Sequence, residues 1–414
     1  MMKQIYIVGV SMTKFGPHLE GTIKTLTKEA VEECLADANV PIANIEAAFF
    51  GNNAQGAIEG QVAIPGQIAL REAGISGIPI TNVENGCASG STAMWLARNH
   101  LLSGQADIVL AVGAEKLTFA EKEKNIRAFK AFEGGMDIEN LEGALDILRD
   151  LTKGHEFEEA KGHRTVFMDC YAQICRAHMI KFGTTQEQLA IISSKNHENS
   201  TLNPKCHYNK PFSVEKVLES RSIGYPLTVP MCSPLSDGGA AVILCTEEGL
   251  KKLGADVQKR AIKILSSVLT SSTAREWDDF ENHLVRRAAK QAYAEAGLVP
   301  GDIDVAEVHD AAAFGELFMS ELLGFCEMGK GGELAASGET RLDGRIPINP
   351  SGGLESKGHP VGASGIAQIF ELVTQLRGEA DKRQVENAKY AIQENGGGLL
   401  GVEEGSAVVT ILSR

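Results

Sequence analysis

The sequence predicts a layered α/β protein made of two similar halves. Three observations predict it. Apolar, β-branched runs alternate along the chain with segments of helical periodicity. A Gly/Ser-rich turn that opens a helix occurs twice, over residues 85–93 (NGCASGSTA) and 358–365 (GHPVGASG). The strand-like run SDGGAAVILC at 236–245 is echoed by EEGSAVVTILS at 403–413. Matching strand–turn–helix–strand units point to a duplicated fold whose halves pack face to face.

Residues 4–10 (QIYIVGV) form a short β-rich run, a buried first strand. Residues 25–38 place Leu26, Ala30, Val31, Cys34, Leu35 and Ala38 at helical spacing. The first Gly/Ser turn leads into the helix MWLARNHLL and then into ADIVLAV at 106–112, apolar enough for a strand buried on both faces. Residues 238–245 are another such strand, followed by the helix start TEEGLKKLG. The second half repeats the plan with a strand at 262–269 and an amphipathic helix at 278–296. The second turn opens the helix IAQIFELVTQL, and late strands follow at 388–393 and 407–412. Residues 120–229 are richer in charge, His and Asn, with poor strand periodicity, and read as an insertion covering the site. The expected division is 1–119 with 230–255 as the first half, 120–229 as the inserted loop domain, and 256–414 as the second half.

A chain of 414 residues can hold two or three domains and bury a large core. Its net charge of −14 argues against a broad nucleic-acid or anionic-membrane surface. No apolar run reaches the ~18 residues of a membrane span, and the start lacks a signal-peptide core. Eight irregularly spaced cysteines read as reduced thiols. A cytoplasmic protein that binds neither membrane nor nucleic acid is expected.

Cys87 lies in the first turn, at a helix N-terminus whose dipole and free N–H groups favour a thiolate and lower the thiol pKa. The same N–H groups can hold the oxyanion of a thioester under attack. Cys87 is then either a nucleophile or a small buried residue. His359 opens the equivalent turn, as a base facing Cys87 across a pseudo-twofold or as a turn histidine satisfied by backbone. His309 and Asp310 end the run DVAEVHD, either as a site pair at a strand end or as an Asp N-cap beside a bystander histidine. Glu394, Asn395 and Gly396–Gly398 are either a plain loop or bare backbone that approaches a ligand. Cysteine spacing fits no zinc site, no phosphate-binding or dinucleotide fingerprint occurs, and the charge run from Glu115 to Arg127 reads as a solvated face.

Taken together, the chain resembles the thiolase superfamily, in its sterol-carrier-protein-type branch. The resemblance rests on ENGCASGS around Cys87, HMIKFGTTQEQLAIISSKNH at 178–197 and PMCSPLSDGGAAVIL at 230–244. It extends to EVHD at 307–310 and NPSGGLESKGHPVGASG at 349–365, so it covers nearly the whole chain in order. It implies a five-layered α/β/α/β/α stack with a loop domain over a coenzyme A channel, and a homodimer or dimer of dimers. It implies Cys87 as the acyl-accepting nucleophile, His359 as its base, and His309 as a holder of a thioester carbonyl oxygen. The N–H groups of Cys87 and Gly396 would form a second oxyanion hole. No permanently bound cofactor or metal is implied; coenzyme A is a co-substrate.

The family's second acid/base cysteine is missing: Ala311 stands at one of its two expected places and Glu394 at the other. Glu394 or His309 would then move the proton. Ala311 and Asn395 are expected at the substrate pocket, with Ala311 to Ala313 widening it for an aryl or branched group. The expected reaction is reverse-Claisen cleavage of a 3-oxoacyl-CoA through acyl-Cys87, as in the thiolase subunits of anaerobic aromatic degradation that cleave 2-benzoylsuccinyl-CoA to benzoyl-CoA and succinyl-CoA. Branch members of this kind also imply a small OB-fold, zinc-ribbon partner subunit. The alternatives are a coenzyme A-independent C-acetyltransferase of polyketide-like biosynthesis, a thiolase-like retro-aldolase, and a non-catalytic scaffold.

Overall fold

The structure is a computed structural model and describes residues 3–157 and 164–414. Residues 158–163 of the expected insertion therefore lie outside the described residues, as do the first two residues.

Nine strands form one mixed sheet: β1 (Ile5–Met12), β2 (Ala47–Gly51), β3 (Ile80–Val83), β4 (Ile108–Glu115), β5 (Gly238–Thr246), β6 (Ile262–Ser271), β7 (Val305–Glu307), β8 (Tyr390–Gly397) and β9 (Ser406–Ser413). Their order, β3-β2-β4-β5-β1-β6-β9-β8-β7, reads the same outward from the β1–β6 seam, with β1 matching β6, β5 matching β9, β4 matching β8 and β2 matching β7. Only three pairs hold that seam: Ile5 with Ile264, Tyr6 with Lys263 and Ile7 with Ile262. The strand with no labelled twin, β3, has its counterpart in a single parallel bridge from Ala306 to Ile348.

Helices make the other layers. α1 (Ile23–Ala38) packs on β1 and β5, and α4 (Leu284–Ala296) packs on β6 and β9. Between the two half-sheets lie α2 (Ser89–Leu102) and α5 (Val361–Arg377), packed on each other. Strand alternation produces this stack. In β4, Ile108, Leu110 and Val112 share a core with α1, whereas Val109 and Ala111 share one with α2 and α5. In β9, Ala407, Val409 and Ile411 join α4 and Leu412 joins the central core. Strands buried on both faces explain the near-continuous apolar runs in the sequence.

Both β4 and α2 approach α5 so closely that only glycine fits. A Cβ on Gly113 would lie 2.0 Å from Gly362 O, and one on Gly365 would lie 2.1 Å from Ser91 Oγ.

Element ends follow local chemistry. Thr22 and Thr25 form a capping box on α1, which ends at Asn39 with φ 48°. The helix expected at 278–296 begins only at Leu284, because Phe280–Asn282 form a 3-10 turn and His283 caps the helix by accepting from Val285 N. Residues 120–229 are mostly helical where described, with Lys122–Ala131, Leu141–Asp150, α3 (Val166–Phe182), Gln186–Ser200 and a small hairpin. Among the described residues no helix is long and apolar enough to cross a membrane. All eight cysteines are free thiols.

The charge run from Glu115 to Arg127 is not a solvated face throughout. Glu115 is fully buried, and Lys116 is buried in an ion pair with Asp237 at 2.8 Å. Glu115 accepts from Asn53 N, Ala54 N, Asn52 Nδ2 and, across the central layer, Gly362 N at 3.0 Å. A strand-end carboxyl thereby caps the start of the opposite half's helix.

Candidate active site

The two turns meet. Gly86, at φ 56°, turns the chain so that Cys87 precedes α2, and Pro360 places His359 immediately before α5. Cys87 Sγ lies 3.3 Å from His359 Nε2. Cys87 Sγ and a ring nitrogen from each of His309 and His359 lie within 4.8 Å of one another. The His309 and His359 rings meet edge to face, 5.1 Å between centroids.

Hydrogen bonds fix both tautomers. The Ser364 hydroxyl donates to Pro360 O at 3.1 Å, so it accepts from His359 Nδ1–H at 2.7 Å. His359 Nε2 is then a bare acceptor facing the Cys87 thiol. Ser91 accepts from Gln393 Nε2 and donates to Asn395 Oδ1 at 2.7 Å. Asn395 Nδ2 therefore donates to His309 Nδ1 at 3.0 Å, and His309 Nε2 carries the proton. One imidazole accepts and the other donates.

The electrostatics correct one sequence expectation. Burial, with the Glu115 charge adding to it, pushes the Cys87 thiol up to about 12, against the helix N-terminus that was expected to lower it. Burial lowers His309 to about 4, and lowers His359 well below the ordinary histidine value, helped by His309 and Lys357. The resting pair is a neutral thiol beside a neutral imidazole, and a thiolate forms only as its proton moves to Nε2.

A cavity of about 180 Å³ opens onto Cys87, His359 and Ala311. Much of its wall comes from residues 120–229, including Phe132, Phe167, Tyr171 and Tyr208. Asn395 does not line it, contrary to expectation: fully buried behind His309, it orients that ring instead. Glu394 does not line it either. Its Oε2 accepts from His309 N at 3.0 Å, and burial, reinforced by Glu404, holds its carboxyl well above the usual range. Gly396 stands opposite Ala407 in the β8–β9 register, and a Cβ on the next residue, Gly397, would lie 2.9 Å from Cys87 N.

Asp310 turns away from His309. Its Oδ1 accepts from Leu354 N at 2.7 Å, and Asn196 Nδ2 donates to Asp310, Glu316 and Glu355 alike. Burial and the neighbouring carboxyls push Asp310 well up, and Glu355 up to about 8. This buried acidic cluster shapes the loop before His359, where a Cβ on Gly353 (φ 63°) would lie 2.1 Å from Asp310 Oδ2.

Sequence reasoning missed Ser91, Ser364, Phe167, Tyr171 and Cys232, the last three of which line the cavity. The serines stood in both quoted turns, four residues after Cys87 and five after His359. Phe167 and Tyr171 sit four apart on one face of α3, a spacing legible in the sequence.

The chain is similar to known proteins along most of its length. Residues 5–217 match the thiolase N-terminal domain and residues 266–414 the thiolase C-terminal domain-like family. The chain is 38% identical over 416 residues to an acetyl-CoA acetyltransferase of Methanothermobacter thermautotrophicus, covering 100% of both. It is 38% identical to sterol carrier protein 2 of Oryctolagus cuniculus, over 99% of this chain and 72% of that protein. It is 34% identical to the benzoylsuccinyl-CoA thiolase subunit BbsB of Thauera aromatica, over 93% of this chain and 92% of the relative. In fold it is similar to the Ltp2-ChsH2(DUF35) aldolase structure, with TM-score 0.76 and 20% identity over 99% of this chain and 98% of the other. The chain belongs to the thiolase superfamily, in the branch that includes the sterol carrier protein 2 relatives, and is an acyl-CoA acyltransferase.

Proposed function

We propose that the chain cleaves a 3-oxoacyl-CoA with coenzyme A through an acyl-Cys87 intermediate. One observation carries this reading: the Cys87 thiol faces a bare His359 Nε2 at 3.3 Å, and a ring nitrogen of His309 lies within 4.8 Å of both. His359 takes the thiol proton as sulfur attacks the 3-oxo carbon. His309 Nε2–H holds one carbonyl oxygen as charge develops, and the N–H groups of Cys87 and Gly396 hold the other. Donors fixed by Asn395 and by the glycine turn need no reorganisation during the step.

The aromatic wall and the small Ala311 side chain support a bulky or aryl acyl group, and with it a substrate such as 2-benzoylsuccinyl-CoA. The Thauera relative, by its name, acts on a compound of this kind. Residues 120–229 form the cover of the coenzyme A channel between a first half (1–119 with 230–255) and a second half (256–414). A small partner subunit of OB-fold, zinc-ribbon type belongs to this reading, since that relative is a subunit and the aldolase structure is a complex.

The test is intact mass after mixing the protein separately with benzoyl-CoA, acetyl-CoA and succinyl-CoA, with Cys87→Ser as control. A benzoyl adduct lost in the variant supports the aromatic reading. Acetyl labelling alone points to a short-chain thiolase. No adduct from any donor overturns the covalent mechanism for the isolated chain. The absence of a second thiol at residues 311 and 394 also favours a coenzyme A-independent acyl transfer, which turnover without free coenzyme A would reveal.

A further inference from the structure

We propose that Glu404 is the second acid/base of the carbon–carbon bond step, in the role that Ala311 and Glu394 leave without a thiol. This rests on the acyl-Cys87 reading and adds to it the group that handles the α-carbon proton.

Two adjacent glutamates behave differently. Glu403 is saturated: Oε1 accepts from Thr273 N, and Oε2 accepts from Arg275 Nε at 2.7 Å and Leu284 N at 2.9 Å. That is a structural carboxylate joining the β6–α4 connection to the loop before β9. Glu404 is only partly buried, with 12% of its side chain exposed, but its Oε2 is shut from solvent and has no hydrogen-bond partner among the described residues. Its nearest cation-capable neighbour is His283 Nε2, 3.8 Å away. His283 Nδ1 accepts from Val285 N, so Nε2 carries the proton and faces the carboxyl. A buried carboxyl oxygen without a partner is costly and calls for an explanation.

Position supplies one. A Cβ on Gly396 would lie 2.8 Å from Glu404 Cγ, so the Glu404 side chain lies across Gly396, whose neighbour Gly397 backs onto Cys87 N. Glu404 lines a small apolar chamber that shares Phe167 and Tyr171 with the cavity of Cys87. Two rivals suit the role less well. Glu394 lines neither space and spends one oxygen on His309 N. Cys232 lines the Cys87 cavity, which Glu404 does not, but burial pushes its thiol up, away from the range in which one group both gives and takes a proton.

The groups facing Glu404 from the elements packed around it are Glu403, Arg275, His283, Tyr171, Glu394 and Cys87. Burial, with Glu403 opposing Arg275, brings Glu404 up to about 7, a value suited to both giving and taking a proton.

The step balances as follows. Cys87 sulfur bonds to C3 of the 3-oxoacyl-CoA and the C2–C3 bond breaks, its electron pair remaining on C2 as the enolate of the departing acyl-CoA. Neutral Glu404 gives its proton to C2. The Glu404 carboxylate then takes the thiol proton of incoming coenzyme A, whose sulfur attacks the acyl carbon as the bond to Cys87 breaks. The His359 imidazolium returns the proton that it took from Cys87 at the outset.

The experiment compares the full-length wild-type protein with Glu404→Gln, Glu404→Asp and Cys232→Ser. Two readouts are used: acylation of Cys87 by the donor that labels wild type, and exchange of the α-protons of acetyl-CoA and succinyl-CoA in D₂O. The expected result is that Glu404→Gln acylates at the wild-type rate but loses α-proton exchange by about 100-fold or more. Glu404→Asp restores part of the exchange, Cys232→Ser loses less of it than Glu404→Gln does, and wild-type exchange rises with pH across about 7 as the carboxylate forms. Exchange at the wild-type rate in Glu404→Gln, no exchange by wild type, exchange abolished in Cys232→Ser, or equal loss of acylation and exchange in Glu404→Gln would each overturn the proposal. Failure of wild type to acylate would instead overturn the acyl-Cys87 reading on which it rests.

Discussion

At the scale of single residues, the site depends on which nitrogen of each imidazole bears the proton. Asn395 makes His309 a donor, and an aspartate there would accept from Nδ1 and turn the donor off. Asn395→Asp is expected to lower kcat by about 100-fold while Cys87 still reacts with iodoacetamide, since only oxyanion stabilisation is lost. Ser364→Ala frees His359 to adopt the other tautomer, and single-turnover acylation should slow by about tenfold. The pH dependence follows from the same burial. His309 stays neutral until the pH falls to about 4, and His359 is likewise lowered. Acylation measured by quench-flow should therefore fall only in acid, as protonation removes the base, because protonation of Glu115 and Glu404 at about 7 removes charges that oppose the thiolate. A fall beginning near pH 6.5, the ordinary histidine value, would contradict this account.

At the scale of elements, the two turn-to-helix units do the positioning, and Glu115 is the tie between them. It ends β4 and accepts the N–H of Gly362 at the start of α5. In Glu115→Gln an amide replaces one accepting oxygen, and either orientation leaves two of its donors without an acceptor. The expected loss is about 3 kcal/mol by chemical denaturation, with His359 displaced and acylation slowed. The strand expected at 106–112 was legible because β4 is apolar on both faces. The role of its last residue was not: a glutamate heading a charged run looks exposed until residues 52–54 and Gly362 bring four donors to it. Strands β2 and β3 were illegible for a related reason. They are five and four residues long, too short for periodicity to separate from a loop.

At the scale of the whole molecule, the halves meet through glycine. Three residue pairs at the β1–β6 seam are too few to hold them, so the packing of α5 on α2, β4 and β5 of the first half bears the association. Gly365→Val places a branched side chain against Ser91 and Asn395, and is expected to cost about 3 kcal/mol or more, or to leave the protein insoluble. Pocket size belongs to this scale too, because its walls come from both halves and from residues 120–229. Ala311→Phe should fill the space beside Cys87 and cut benzoyl transfer at least tenfold more than acetyl transfer, read from competing labels by mass.

The sequence alone determined the duplicated α/β plan, because strand and helix periods are local and the repeat is visible in the order of residues. It also singled out Cys87, His309 and His359, because a nucleophile at a glycine turn and a histidine at its twin need no distant partner to be noticed. Tertiary structure decided the rest. The direction of the Cys87 pKa depends on desolvation by neighbours hundreds of residues away, which outweighs the local helix end. The places of Asn395 behind His309, of Asp310 in the acidic cluster and of Glu404 across Gly396 depend on contacts between separate segments of the chain. Local pattern records what a segment can form, whereas charge and access at a site are set by whatever the fold brings against it.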